Sequence, residues 1–436
     1  MALDLRSHSG VTFDTELHGR ADTLVWHMPD LRRFSFGHRS GSAFAFALLA
    51  YAFAAIMVGT TLPTPMYALY AERMHFAVLT TTVIYAAYAG GVLFALLVFG
   101  RWSDAVGRRP MLLAAVVAAL ASAVVFLVAD SVPLLLVGRV LSGLSAGLFT
   151  GTGTAAVIEA APRRWHARAA TVATIANIGG LGAGPLLAGL LVQYAPHPLQ
   201  LPFLIHIALA AMAGIAILVV PETSERIGSI GVQRLSVPVE VRAIFIIAAL
   251  AAFAGFAVAG LFTAVAPSFL ANVIGIDNHA IAGAIACSIF AASAVAQIGA
   301  TRIPPQRAVA VGCAILAVGM VILTAALYFS SLPGLIAAAV VSGAGQGISF
   351  SRGLAAVAEL TPPGRRAEVS STYFVVAYVA ISLPVVSEGL AARDWGLRTA
   401  GLAFAIAVGV LSVICMVAIL WQESRQTRTV DLSAST

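Results

Sequence analysis

The chain has 436 residues, of which 60% are hydrophobic and 10% charged, and its mean hydropathy is +0.95. So little charge cannot cover a globular surface, which excludes a soluble protein and makes this an integral membrane protein. The net charge of +6 is then a signal of membrane topology and not a nucleic-acid footprint.

Residues 1–42 carry balanced charge and do not begin with an apolar stretch, so they read as a cytoplasmic N-terminal tail and not as a cleaved signal peptide. Apolar runs able to cross roughly 30 Å of hydrocarbon follow at approximately 43–66, 79–99, 110–129, 133–157, 168–192, 200–220, 242–270, 280–300, 307–328, 333–357, 368–390 and 399–421. The runs are rich in Gly, Ala and Ser, as closely packed membrane helices require. They lack the alternation of a β-barrel, so the expected fold class is an all-α integral membrane protein with twelve transmembrane helices. The longest polar stretch between runs, ETSERIGSIGVQRLSVPVEV at 222–241, divides a first six-helix bundle over 43–221 from a second over 242–421. Residues 422–436 read as a cytoplasmic tail.

All 25 basic residues are Arg, the composition of a GC-rich bacterial genome. Arg is retained on the cytoplasmic side. With the N-terminus inside, the outer connections hold only Arg73, Arg393 and Arg398, Arg139 and Arg352 lie within spans, and the other twenty face the cytoplasm. Both termini are therefore expected inside, in the inner (plasma) membrane of a bacterium. Cys287, Cys313 and Cys415 occupy different apolar runs and read as small buried hydrophobes, with neither metal-ligand nor disulfide spacing.

A shift of 200 residues superimposes Ser142, Gly143 and Gly147 on Ser342, Gly343 and Gly347. It also brings Gly153, Glu159, Pro162 and Ala167 onto Gly353, Glu359, Pro362 and Ala367. Each repeat holds an even number of spans, so the halves enter the membrane in the same direction. Spans 3, 6, 9 and 12 are almost wholly apolar and suited to lipid contact. Spans 2, 4, 5, 8, 10 and 11 carry nearly all the intramembrane polarity, including Tyr85, Tyr88, Arg139, Asn177, Gln297, Gln346, Arg352, Tyr373 and Tyr378. Polar groups in hydrocarbon are costly unless they face a protein interior or a wet cavity, so two bundles enclosing a polar cavity account for them.

Between the second and third spans stands GRWSDAVGRRP. Its Gly100, Asp104, Gly107, Arg108 and Arg109 resemble, at matching spacing, the signature loop of the major facilitator superfamily. Trp102 and Ala105 depart from the family pattern, and Ala105 removes a charge expected there. The resemblance implies that the loop locks the cytoplasmic side when the transporter faces outward. Its implied partners lie in EAAPRRWHAR (159–168), with Glu159 paired to Arg108 and Asp104 to Arg168. GRVLSGLSAG (138–147) is similar to the family's second motif, an intramembrane Arg139 followed by the packing glycines Gly143 and Gly147. Arg139 is read either as an Arg facing the cavity or as a structural Arg snorkelling outward. NIGGLGAGPLLAGLL (177–191) resembles the motif of drug/proton antiporters through Gly180, Gly184, Pro185 and Gly189. GTTLPTPMYALY (59–70) resembles the Pro-x-Pro motif of the same group through Pro63 and Pro65.

A proton-driven carrier needs a titratable group whose burial brings it toward neutrality. Glu388, toward the outer end of span 11, is the candidate, with an interfacial pair to Arg393 as the alternative. His206 in span 6 is a second candidate, with a structural role weighed against it. The aromatic and uncharged polar side chains suit an amphipathic, mostly neutral organic substrate. The expected function is alternating-access, proton-coupled efflux of drug-like or natural-product compounds by a monomer without metal or cofactor. A proton symporter importing a small metabolite is the alternative. The scattered His residues argue against a membrane enzyme, and the lack of a P-loop argues against a self-contained ATP-driven pump.

Overall fold

The computed structural model describes residues 42–434, so the expected tail over 1–42 falls, except for its last residue, outside the described residues. The chain forms twelve helical spans: α1 (Ala43–Met74), α2 (Val78–Phe99), α3 (Arg108–Leu127), α4 (Val132–Ala160), α5 (Arg163–Tyr194), α6 (Leu201–Val219), α7 (Val239–Ala264), α8 (His279–Arg302), α9 (Pro305–Tyr328), α10 (Leu332–Leu360), α11 (Arg366–Trp395) and α12 (Leu397–Ser424). No strand occurs among the described residues. The connection 100–107, the linker and the turns at 161–162 and 361–365 share one membrane side, termed the linker face. The connections at 75–77, 128–131, 195–200, 265–278 and 329–331 lie on the far face.

Three spans depart from the expected bounds, two of them at prolines. Pro63 and Pro65 do not end α1. They set a 3-10 turn, Thr64–Met66, between the helical segments Ala43–Thr61 and Tyr67–Met74. The expected seventh run stops at Ala264, after which Pro267 opens a short helix, Ala266–Phe269, that runs into the π turn Leu270–Ile274. The last helix continues beyond α12 to Ala434, so 422–434 prolongs a helix where a tail was expected. Elsewhere, Asn278 and Ser331 cap α8 and α10 by accepting the Ile281 and Gly334 amides at 3.0 and 3.2 Å, satisfying donors a helix start leaves free.

Inside each half, small residues let backbones touch. A Cβ on Gly143 would fall on the Tyr88 carbonyl, and one on Gly147 would meet Ala95 and Val92, fixing α4 against α2. In the second half, Gly343 meets the Ile289 carbonyl and Gly347 the Ser293 carbonyl, fixing α10 against α8 in the same way. The repeat read in the sequence is thus a repeated packing surface, which matters because lipid gives helices little apolar drive to associate.

The halves meet through α5 against α8 and α2 against α11. Gly189 lies on the His279 carbonyl and Gly283 on that of Pro185, while Gly389 packs on Thr82. Gln193 accepts the His279 amide at 2.9 Å, and the Tyr85 hydroxyl shares a 2.6 Å hydrogen bond with Thr263. Toward the far face one apolar core is common to both halves, joining Ile84, Ala188 and Val192 to Val258, Phe262 and Ile285. Toward the linker face the buried apolar residues separate into a large cluster wholly in the first half, around Phe53, Phe149 and Ala173, and smaller clusters wholly in the second.

Substitution at these glycines tests the packing. Gly143→Val and Gly343→Val are each expected to cost on the order of 1–3 kcal/mol by overpacking, read as lower melting temperature and membrane yield. Gly90→Val, on the same helix as Tyr88 but with no atom within 4 Å of the added Cβ, is expected to leave both unchanged.

Candidate functional site

The 100–107 segment folds as a tight corner. After the short helix Trp102–Val106, Gly107 takes φ 118° and ψ 157°, a region costly for any residue with a Cβ. Arg108 then begins α3, and Glu222, from the start of the linker, caps it. Its carboxylate accepts the backbone amides of Arg108 at 2.8 Å and Arg109 at 3.1 Å, and also those of Thr223 and Ser224 at 3.1 Å. Partial burial works against the charge on Glu222, but these four amides outweigh it and hold the carboxyl below its ordinary value of 4.5. A Cβ at Gly107 would strike that carboxylate, so the glycine serves both the turn and the cap.

Arg108 turns back over the same corner. It pairs with Asp104 at 2.5 Å and Glu159 at 3.0 Å, and donates to Ser103 at 2.7 Å. Thr223 donates to the second Glu159 oxygen at 2.7 Å, so Glu159 joins the end of α4 to the linker. The expected Arg108–Glu159 pair is present, but the expected Asp104–Arg168 pair is not. Asp104 is turned to Arg108, four residues on across the Gly107 corner, and Arg168 is exposed at the start of α5 with no ion pair among the described residues. Arg109 reaches the Leu218 carbonyl at the end of α6 at 2.5 Å. Gly100 packs on the Leu96 carbonyl and near Gln233. The whole network therefore belongs to the first half and the linker.

Deeper in the first half, two of the sequence motifs meet. Arg139 is only 2% exposed and does not snorkel. It donates to the Thr60 carbonyl at 2.6 Å, next to the break made by Pro63 and Pro65, and its guanidinium lies 5.5 Å from the Tyr85 ring centroid and 4.7 Å from that of Tyr88. Cation–π attraction of this kind is strengthened by desolvation. Among the described residues no carboxylate pairs with Arg139. Its Nε and the nearby Tyr67 hydroxyl are buried without partners.

Pro185 lies within a continuous helix and cannot donate to the Leu181 carbonyl. The Thr61 hydroxyl takes that role at 2.7 Å. Gly180 and Gly184 bring α5 onto α1 over Ala54 and Val58, and Gly189 sits at the junction with α8 described above.

The second-half candidates divide. Gln297 donates to Ser293 at 3.1 Å, and Ser293 to Gln346 at 2.7 Å, a relay between α8 and α10. Tyr378, from the second half, packs against the core common to both halves and against the first-half cluster, so it crosses the interface. Tyr373, by contrast, is 0% exposed, and its hydroxyl donates to the Ala248 and Phe350 carbonyls at 3.2 and 3.3 Å, so it braces α7, α10 and α11 and lines no open surface. Asn177 is half-buried on α5. Arg352 reaches the Ile303 carbonyl on the linker face at 3.0 Å.

His206 is buried against Gly59 of α1, not turned toward lipid, and its Nδ1 has no partner. Glu388 is 3% exposed with both oxygens unpartnered, so the alternative pair with Arg393 is absent. Glu222, Thr223, Thr60, Thr61 and Tyr67 were missed by sequence reasoning. For Tyr67, its place two residues after Pro65 was an available signal; for Glu222, an acid at the start of the linker gave no hint of the helix it caps.

The cap yields a pH test. Because the folded-state carboxyl is depressed, its stabilisation is complete above the ordinary value of 4.5 and is lost as pH falls through the lower folded value. Glu222→Gln should lower stability by about 1 kcal/mol near neutrality, and the gap in melting temperature from wild type should close in strong acid. Gly107→Ala should be destabilising at every pH, by about 1–3 kcal/mol.

Residues 44–383 match the family model described as Major Facilitator Superfamily. A segment of 117 residues is 35% identical to the class D tetracycline resistance protein of Salmonella ordonez, covering 26% of this chain and 27% of that protein. The match thus spans about a quarter of the curated relative's length. Among solved structures, a mutant of the nucleoside transporter NupG aligns with TM-score 0.67 at 12% identity, over 86% of this chain and 99% of the other. A D-xylose-proton symporter aligns with TM-score 0.68 at 15% identity, over 87% and 97%. The human organic anion transporter MFSD10 aligns with TM-score 0.61 at 15% identity, over 86% and 99%. With a family model covering most of its length and twelve spans in two repeated halves, the chain belongs to the major facilitator superfamily of transporters.

Proposed function

We propose that the protein is an alternating-access carrier that exports amphipathic drug-like or natural-product molecules in exchange for protons across the plasma membrane of a bacterium. The reading rests above all on the asymmetry of the apolar cores, shared between halves toward the far face and separate toward the linker face. With the arginine-rich linker face in the cytoplasm, this is the arrangement of a carrier open to the inside, ready to load a compound from the cytoplasm. The gate network around Arg108 is then disengaged from the second half, and it latches the halves when the molecule turns outward.

Export is further supported by α5, whose Pro185 and Gly189 face α8 where the halves must part for outward opening. The partial match to a tetracycline resistance protein points the same way. Arg139, ringed by Tyr67, Tyr85 and Tyr88 without a carboxylate, offers a cation to polar or anionic atoms of the cargo. Glu388 is the proposed proton-exchange site, because a buried carboxyl with no donor gains or loses a proton according to what else occupies its surroundings. Import by proton symport uses the same fold, and the direction of solute movement separates the two.

In an efflux-deficient host, expression is expected to lower accumulation of at least one amphipathic compound. In vesicles, an imposed pH gradient should drive that compound against its concentration, with Glu388→Gln reducing the proton-driven component by at least ~10-fold (about 1.4 kcal/mol). If no compound in a broad panel shows reduced accumulation, export is refuted. Movement of solute with the proton would establish the symporter instead.

A further inference from the structure

Outside the gate and the interface between halves, one feature stands apart, a cleft of about 330 Å3 between α7, α11 and α12. Phe253 and Ala257 of α7 form its floor, and Ala403, Phe404 and Ala407 of α12 one wall. Ala403 and Ala407 are exposed on a span long and apolar enough to lie in hydrocarbon, so the mouth of the cleft faces lipid and not water. Glu388 belongs to the opposite wall, on α11. It sits roughly 10 Å along the helix axis from the end of α11 at Trp395, below the membrane surface.

The composition of the cleft limits what can occupy it. Both Glu388 oxygens are buried and receive no hydrogen bond, and an ionised carboxylate in such surroundings is strongly disfavoured unless a cation joins it. No side chain among the described residues supplies one. A bare metal ion would need several oxygen ligands to replace its water, and the lining offers one carboxylate and the Ser387 hydroxyl, already donating to Leu383 at 2.9 Å. An organic cation brings what the cleft lacks, a single positive charge, along with an apolar body that the alanines and phenylalanines can cover. Phe253 and Phe404 add aromatic side chains to the lining, the kind that attracts a cationic headgroup.

We propose that this cleft is a membrane-accessible binding site for lipophilic organic monocations, with the charged group on Glu388 and the apolar body against α12. Binding stands independently of transport. The further step, in which such a cation displaces the proton from Glu388 and is a substrate, rests on the carrier reading above.

Full-length protein in lipid vesicles, with no ion gradient, provides the test. Dicyclohexylcarbodiimide adds across a protonated carboxyl group and, after acyl migration, leaves a stable N-acylurea with no group lost, detectable by mass spectrometry of the Glu388 peptide. Labelling at Glu388, absent in Glu388→Gln, is expected. Octyltrimethylammonium should slow it about tenfold at saturation, whereas octyl sulfate and octanol should not. Ala407→Phe, which fills the mouth from an exposed position, should abolish that protection while leaving the melting temperature unchanged. The proposal is overturned if Glu388 resists the reagent, if all three octyl compounds protect alike, if none protects, or if Ala407→Phe retains full protection. Protection without proton-driven export would sink the carrier reading alone, and export without protection would sink the cleft alone.

Discussion

A polar backbone group inside a bilayer has no water to turn to, and this molecule is organised around that fact. Pro185 removes a donor from the middle of α5, and the Leu181 carbonyl left over is taken up by Thr61 of α1. At the neighbouring residue of α1, just before Pro63 and Pro65 interrupt the helix, the Thr60 carbonyl accepts Arg139 of α4. Two helix irregularities are thereby tied to one another through adjacent threonines, and α1, α4 and α5 become a single unit. The guanidinium is held by a backbone carbonyl and two tyrosine faces, without a counter-ion to consume its charge.

The same scarcity of apolar drive explains why glycine appears where helices cross. Backbone contact at Gly143 and Gly147 is repeated at Gly343 and Gly347, so each half carries its own rigid α2–α4 or α8–α10 pair. Between the halves the close approaches involve Gly189, Gly283 and Gly389 instead. Contacts within a half are numerous and interlocked, whereas those between halves lie mainly along α5 with α8 and α2 with α11. A molecule built this way separates along the second set before it deforms the first.

Much of this was legible in the sequence. The spans came from run length and composition, the repeat from the register of Ser, Gly, Glu and Pro, and the corner from the spacing of Gly100, Asp104, Gly107 and Arg108. What escaped were relations that spacing does not encode. Glu222 caps a helix that begins 114 residues earlier, and nothing local marks it as a cap. Asp104 was expected to meet Arg168, another residue of the first half, but Arg108, four residues on across the Gly107 corner, lies beside it and takes the pair. Tyr373 looked like a cavity residue because it is a tyrosine on a polar span; its hydroxyl is instead consumed by carbonyls within the second half. His206 lies on an apolar helix, yet Gly59 opens a recess that takes its ring inward.

The linker is more than a connection. It is fastened along the first half by backbone hydrogen bonds, with the Gly228 amide on the Asp104 carbonyl at 3.0 Å and the Gln233 amide on Leu97 at 2.7 Å, besides the cap made by Glu222. Its hold on the second half is lighter, with Ser236 accepting from Arg365 at 2.8 Å. A cord stitched to one body and only pinned to the other rides with the first, so any swing between the two is taken up over the few residues between Gln233 and α7. For the proposed carrier the pivot thus has a built-in location, and the helix cap beside the Arg108 network would stay seated as the halves move.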